Sequence, residues 1–258
     1  PTEDPAPDPA LAAALGTALP GPPLTGPLLA FASLPSTQIW CRTLAARGAA
    51  EGLVVVADHQ TAGRGQRGRR WVAPPGTALL LSCLLRPDVP TARWGELPLV
   101  AGVAVAEALE AAAGAPTRLR WPNDVLVAGR KVAGILAEGV PGRHAHVVLG
   151  IGVNVDQTAA DWPAELAGHA ASLRALGHPV RRPALLATLL ATLAARYTEW
   201  RRMGFGPARA GWRQRALLGH RMATGGGAGV AVDLGPRGAL VLRRDDGTVV
   251  TVVAAGES

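Results

Sequence analysis

The densest chemistry in the chain lies in one run, Gly63-Arg64-Gly65-Gln66-Arg67-Gly68-Arg69-Arg70-Trp71. Glycine adopts positive φ at little cost, so the backbone N–H groups of such a run can curl around an oxyanion. Arginine adds planar, permanently charged forks that hold a phosphate or carboxylate at two points. An apolar, β-branched segment, Leu53 to Ala57, leads into the run and reads as a buried strand. A cationic, Gly-rich loop after a strand suits phosphate binding. On its own it equally suits a solvated basic loop or an RNA-binding patch. Lys131 is the second candidate. Of the 26 basic residues, 25 are arginine and Lys131 is the one lysine. In a chain that uses arginine nearly everywhere, a lysine marks a place where a compact, flexible charge is needed.

These groups sit in a chain of 258 residues, 48% apolar, which is enough for one large domain with a small appendage. No apolar run reaches the length of a membrane span, and no basic segment followed by an apolar one opens the sequence, so a cytoplasmic protein is expected. The net charge of +7 is spread along the chain, which is also rich in Ala, Gly and Pro. That pattern reads as a compositional bias rather than a nucleic-acid footprint. Cys41 and Cys83 lack metal-ligand spacing and are expected as reduced, buried thiols. His144 and His146 alternate along a strand and are expected at the surface, with no third ligand in view.

Several elements must position the loop and the lysine. Residues 1–25 read as a flexible tail with a short helix at Ala10–Leu19. Ser36-Thr37-Gln38 precedes a helix from Ile39 to Arg47, where a hydroxyl can cap the helix or serve a ligand. Strands are expected at Ala78–Leu85, Arg118–Trp121 and Val147–Val155, and helices at Pro98–Ala113 and Pro183–Met203. Trp121-Pro122-Asn123-Asp124 reads as a turn, followed by a hairpin whose arms, Val125–Val127 and Arg130–Glu138, turn at Ala128-Gly129. Beyond about Leu217, short strands at Val230–Leu234, Ala239–Arg243 and Thr248–Ala254 are separated by Gly-Pro-Arg-Gly and Asp-Asp-Gly turns. This small all-β unit must pack on the main domain to be stable. Gly225-Gly226-Gly227-Ala228-Gly229 lacks the Gly-Lys-Ser/Thr ending of a phosphate loop and reads as a hairpin connection.

Three separated pieces now stand in order: the Gly63–Trp71 run, Trp121-Pro122-Asn123-Asp124, and Lys131-Val132-Ala133-Gly134-Ile135-Leu136 followed by Glu138. With Ser36-Thr37, Gln60 and Gly150-Ile151-Gly152-Val153-Asn154, the set resembles the biotin protein ligase family from about residue 31 onward. The resemblance implies an α+β fold: a mixed sheet with helices mainly on one face, related to class II synthetases, plus a C-terminal barrel like a Src-homology-3 domain. The catalytic domain is then expected over 26–215 and the barrel over 216–258. No separate N-terminal DNA-binding domain is expected, and no operator binding.

The family reaction implied has two steps. Biotin and ATP give biotinyl-5′-adenylate and pyrophosphate; then a lysine of the carrier domain of a biotin-dependent carboxylase, such as acetyl-CoA carboxylase, takes the acyl group. The resemblance implies that Lys131 bridges the biotin carboxylate and the α-phosphate. Arg67 and Arg69 then hold phosphates, and Arg64 and Gly65, with Gly63, shape the loop over biotin. Ser36, Thr37 and Gln60 line the biotin pocket, while Gln66, Trp71, Asn123 and Asn154 reach the nucleotide. Asp124 is open between orienting the acceptor amine, helping a metal and pinning an arginine such as Arg120. Magnesium is expected with ATP, held by phosphate and water rather than by protein ligands. A monomer or weak homodimer is expected, with no specific nucleic-acid or membrane partner.

The sequence departs from the family pattern at Gln38, where Asn is common, at Arg120, where Lys is usual, and at Gln66, where Arg is frequent. Losing a cation at Gln66 weakens the clamp on the adenylate phosphate. Two alternatives remain at this point. A lipoate ligase uses the same adenylate logic, but its Arg-Arg-x-Ser-Gly-Gly-Gly segment is absent. A basic RNA-binding module predicts steeply salt-dependent affinity without nucleotide chemistry.

Overall fold

The computed structural model describes residues 4–16, 21, 23–224 and 227–254. Its seven-stranded sheet takes the order β1-β2-β3-β7-β6-β5-β4. The strands are β1 (Leu28–Leu34), β2 (Val54–Gln60), β3 (Ala78–Leu85), β4 (Thr117–Arg120), β5 (Asp124–Val127), β6 (Arg130–Val140) and β7 (His146–Asn154). β1 and β2 pair in parallel across the helix α2 (Thr37–Ala46), and the other neighbours are antiparallel.

Strand alternation assigns the two faces. Val54, Val56, Leu79, Leu81, Leu149, Ile151 and Val153 enter the main core. There they meet α3 (Leu97–Ala113), α4 (Arg182–Met203) and α5 (Gly206–Arg215). Most of α3 is buried, as its continuous Ala/Val/Leu composition requires, because it lies between the sheet and α4. On the other face Val55, Ala57, Leu84 and Val148 pack with Phe31 of β1 and with Cys41 and Ala45 on the underside of α2. That helix covers only part of the face, and the uncovered part forms the site described below.

The N-terminal segment differs from the expected tail. Asp8 caps a short helix, α1 (Pro9–Leu15), by accepting from Leu11 N at 3.0 Å, and its own N–H donates to Ala30 O on β1 at 2.7 Å. Leu15 and Leu24 are buried in the main core, so apolar anchoring outweighs the Pro/Ala-rich composition here. Part of the expected Ala10–Leu19 helix lies outside the described residues.

The C-terminal unit is an antiparallel sheet of four strands, ordered β11-β10-β9-β8, among the described residues. They are β8 (Arg221–Thr224), β9 (Gly227–Leu234), β10 (Leu240–Arg243) and β11 (Val249–Val252). β8 is not evident from the sequence, being short and mostly exposed, and part of the glycine run expected as a connection belongs to β9. Leu234, Leu240 and Leu242 join the main core, and Trp121 Nε1 donates to Gly238 O at 3.0 Å.

Cys41 and Cys83 are buried free thiols. His146 corrects the surface expectation: it is buried, with Nδ1 2.8 Å from His144 O, and only His144 is exposed. No helix among the described residues is long and apolar enough to cross a membrane.

Candidate active site

The floor of the site is built by omission of side chains. Gly134 on β6 and Gly150 and Gly152 on β7 occupy positions whose side chains would rise from the uncovered face. A Cβ at Gly152 would lie 2.7 Å from the Trp71 ring, and one at Gly134 3.0 Å from it. A Cβ at Gly150 would lie 2.5 Å from Gln38 Oε1. Glycine at these positions lets the Trp71 indole lie directly against the sheet and leaves a recess beside it.

A hydrogen-bonded chain lines that recess. Gln60 Oε1, at the end of β2, accepts from Thr37 N at 2.7 Å and from Thr37 Oγ1 at 3.1 Å. Ser82 Oγ on β3 lies 2.9 Å from Thr37 Oγ1 and 3.1 Å from Gln38 Oε1. Gln38 Nε2 donates to Val148 O at 2.9 Å. Ser36 occupies the N-cap position of α2 without a capping bond from its hydroxyl, so the capping reading of Ser36 and Thr37 gives way to a lining role. The side chains of this chain are fixed by one another, which preorganises a polar surface for a ligand of matching donors and acceptors.

The Gly/Arg run forms a small hairpin over this recess. Gly65 N donates to Arg69 O at 2.7 Å and Trp71 N to Gly63 O at 3.0 Å, with a bridge between Arg64 and Arg70. At the tip Arg67 (φ 57, ψ 41) takes a left-handed conformation, followed by Gly68 at φ 71. A non-glycine residue in that region stores backbone strain, a feature that clusters at binding loops. A loop whose composition offers little to bury thus closes through its own backbone bonds.

Two cavities meet beneath the hairpin. The inner one, ≈ 50 Å³, is lined by Ser36, Thr37, Gln60, Arg64 and Gly65 together with Ser82 and the three floor glycines. The outer one, ≈ 450 Å³, is lined by Arg67, Arg69, Asp124 and Asn154 with Trp162 and His169. Gly65, Gln66, Trp71, Asn123 and Lys131 line both. A narrow recess thus opens into a chamber wide enough for a larger, charged group.

Lys131 stands at the junction. Its Nζ lies 2.5 Å from Asp124 Oδ1 and 5.7 Å from the Trp71 ring centroid. The other Asp124 oxygen takes Arg120 Nη2 at 2.6 Å. Asp124 therefore pins Arg120, as one of the sequence readings held, and grips Lys131 as well. The backbone of Lys131 is fixed from a second side: its N donates to His169 O at 2.9 Å and its O accepts from Ala171 N at 3.0 Å. Asn154 Nδ2 approaches the same carbonyl at 3.4 Å, and Asn154 Oδ1 accepts from Gln157 Nε2 at 3.1 Å. Asn123 Nδ2 donates to Ile135 O at 2.8 Å, locking the turn after the cis Trp121–Pro122 peptide against β6.

All the site residues read from the sequence except Gly63 line one cavity or both; Gly63 acts through its carbonyl in the hairpin. Sequence reasoning missed Ser82, whose signal is a hydroxyl within Leu79-Leu80-Leu81-Ser82-Cys83-Leu84-Leu85. It also missed the wall formed by Trp162, Glu165, Leu166 and His169, and the contribution of Met222, Ala223 and Thr224 from the C-terminal sheet.

A family model described as Biotin/lipoate A/B protein ligase family matches residues 30–154. The chain is 42% identical over 218 residues to the biotin–[acetyl-CoA-carboxylase] ligase of Mycobacterium tuberculosis, covering 80% of this chain and 78% of that protein. It is 39% identical over 220 residues to the bifunctional ligase/repressor BirA of Bacillus spizizenii, covering 82% of this chain and 68% of that one. Among solved structures, the biotin protein ligase from Aquifex aeolicus in complex with biotin and ATP superposes with a TM-score of 0.77 at 30% identity, covering 88% and 95% of the two chains.

Proposed function

The chain belongs to the biotin protein ligase family, and from that premise we propose how its two cavities divide the work. The enzyme activates biotin with ATP and passes the biotinyl group to a protein lysine. The inner recess takes the polar end of the biotin ring system, with Thr37, Gln60 and Ser36 supplying the polar matches, and the acyl chain runs from it toward Lys131. The outer chamber takes ATP, with Arg67 and Arg69 toward the phosphates and Trp71, Asn123 and Asn154 lining the nucleotide.

The observation that carries this reading is the place of Lys131, on the wall shared by both cavities. Two anions must meet there. A carboxylate oxygen attacks the α-phosphorus, the bond to the bridging oxygen breaks, and pyrophosphate leaves. A cation between the reactants offsets their repulsion and the charge that grows on the transferred phosphoryl oxygens. Asp124 holds Nζ in place, and the Trp71 face adds a cation–π contact, so the ammonium is positioned before substrates arrive. In the second step the acceptor lysine, as its free amine, attacks the acyl carbon; the bond from that carbon to the phosphate oxygen breaks, AMP leaves with the electron pair, and the proton shed by the nitrogen passes to solvent. Asp124, with one oxygen on Lys131 and the other on Arg120, serves by fixing these two cations on the wall where the reactants meet.

Magnesium is proposed to accompany ATP, held largely through phosphate oxygens and water. The acceptor is the carrier domain of a biotin-dependent carboxylase, with acetyl-CoA carboxylase the proposed case on the strength of the named relatives. Incubation with ATP and either biotin or lipoate, followed by mass spectrometry, tests the reading. Biotinyl-5′-AMP is the expected product, and lipoyl-AMP alone would overturn it.

A further inference from the structure

Glu138 has no part in the reading above, yet it is a carboxylate with a side chain only 8% exposed, at the edge of the site. It lies on β6 two and four residues beyond Leu136 and Gly134, and alternation puts all three on the face that carries the recess. Its Oε1 lies 3.1 Å from Arg64 Nη2, in the Gly/Arg hairpin, and 4.0 Å from Arg42 Nη1 on α2. Its Oε2 is buried and has no hydrogen-bond partner. A buried carboxylate with one oxygen engaged and the other unsatisfied is costly, and the cost falls when a guanidinium meets both oxygens at once.

We propose that Glu138 is a positioning residue that latches the hairpin over the biotin recess by holding Arg64. Arg64 is 39% exposed and lines the recess, so its guanidinium joins a surface loop to a buried strand. The orphaned Oε2 provides a second seat: when the hairpin tightens on bound biotin, the Arg64 fork takes both Glu138 oxygens. The latch acts on retention of biotin and of the acyl-adenylate, not on the chemistry at phosphorus. It rests on the assignment of the recess to biotin.

The test uses the full chain and the variants Glu138→Gln, Arg64→Gln and the double substitution. First, wild type must form biotinyl-5′-AMP; if it does not, the assignment of the recess fails and not the latch alone. Given that activity, Glu138→Gln is expected to raise the KM for biotin and speed adenylate dissociation by about tenfold, the scale of one charge-assisted hydrogen bond. The KM for ATP and the melting temperature should stay near wild type. Arg64→Gln should reproduce the effect, and the double variant should be no worse than either single one. Unchanged biotin KM and adenylate off-rate in Glu138→Gln would overturn the latch. So would additive effects in the double variant, or a loss that follows melting temperature and ATP KM equally, which marks a merely structural carboxylate.

Discussion

The two faces of the central sheet obey the same geometry and do opposite things. On β7, Leu149, Ile151 and Val153 point into a core closed by α3 and α4, while Gly150 and Gly152, alternating with them, present bare backbone to the other side. On β3, Leu79, Leu81 and Cys83 enter the core, while Ser82 carries a hydroxyl into the recess. One face is filled with side chains along its length to exclude water. The other is filled only beneath α2, and beyond that helix it is emptied so that an indole and a ligand can approach the strands. The fold is thus carried by one set of residues and the chemistry by their immediate neighbours, which makes the two separable by mutation.

Leu149→Ala attacks the filled face and should have the largest effect. A fully buried leucine truncated in a packed core costs about 2–5 kcal/mol of stability. Urea unfolding should show the loss, while specific activity per folded molecule at low temperature stays close to wild type. Loss of biotin affinity out of proportion to stability would show that the faces are not independent. Gly152→Val attacks the emptied face. Its side chain would enter the space of the Trp71 ring, since even a Cβ would lie 2.7 Å away. Overpacking of about 1–3 kcal/mol should appear as a ten- to hundredfold weaker biotin affinity in calorimetry, with nearly unchanged far-UV circular dichroism.

The buried thiols give a pH test that samples both sides of the sheet. Burial pushes the Cys41 thiol, on the underside of α2, up to about 12. Cys83, on the core face, is raised further by burial and by the nearby Cys41 sulfur. In the unfolded chain both titrate near 9.0, so above that pH the unfolded state holds fewer protons than the folded one. Stability is then unaffected by these thiols below pH 9 and falls as pH rises from there toward the folded values, by up to about 1.4 kcal/mol per pH unit for each thiol. The urea midpoint of wild type should drop more steeply between pH 8 and 10.5 than that of Cys41→Ala/Cys83→Ala. Equal slopes would mean that the thiols are accessible in the folded protein.

The smallest effect is expected at the mouth of the site. Gln66 lines both cavities, and an arginine there would add a cation beside the adenylate phosphate. Gln66→Arg should slow dissociation of biotinyl-5′-AMP by a few-fold, which a stopped-flow chase can measure; equal off-rates would remove any role for that position in retention.

How much of this was readable in the sequence follows the same division. The hairpin, the turn at Trp121–Asp124 and the lone Lys131 announce themselves because glycine, proline and charge are conspicuous in the chain. The core strands are legible because apolar runs bounded by turns have few alternative conformations. Asp124 could not be resolved from sequence, since its two partners, Arg120 and Lys131, come from different strands and meet only in the folded sheet. Ser82, and the contact of Glu138 with the hairpin, were hidden because a single polar letter in a strand gives no sign of which face it occupies or what loop crosses it. The packing of α1 was masked by a composition typical of tails, although Leu15 and Leu24 were available as anchors. β8 was missed because an exposed four-residue strand has almost no apolar signal.

The central claim is that Lys131, at the shared wall of the two cavities, is required to join a biotin carboxylate to ATP. Pyrophosphate–ATP exchange measured with and without biotin, on wild type and Lys131→Ala, tests it most directly. Biotin-dependent exchange in wild type, lost by orders of magnitude in a variant that still folds, is the predicted result. Exchange that needs no biotin, or that survives the removal of Lys131 undiminished, would contradict the account.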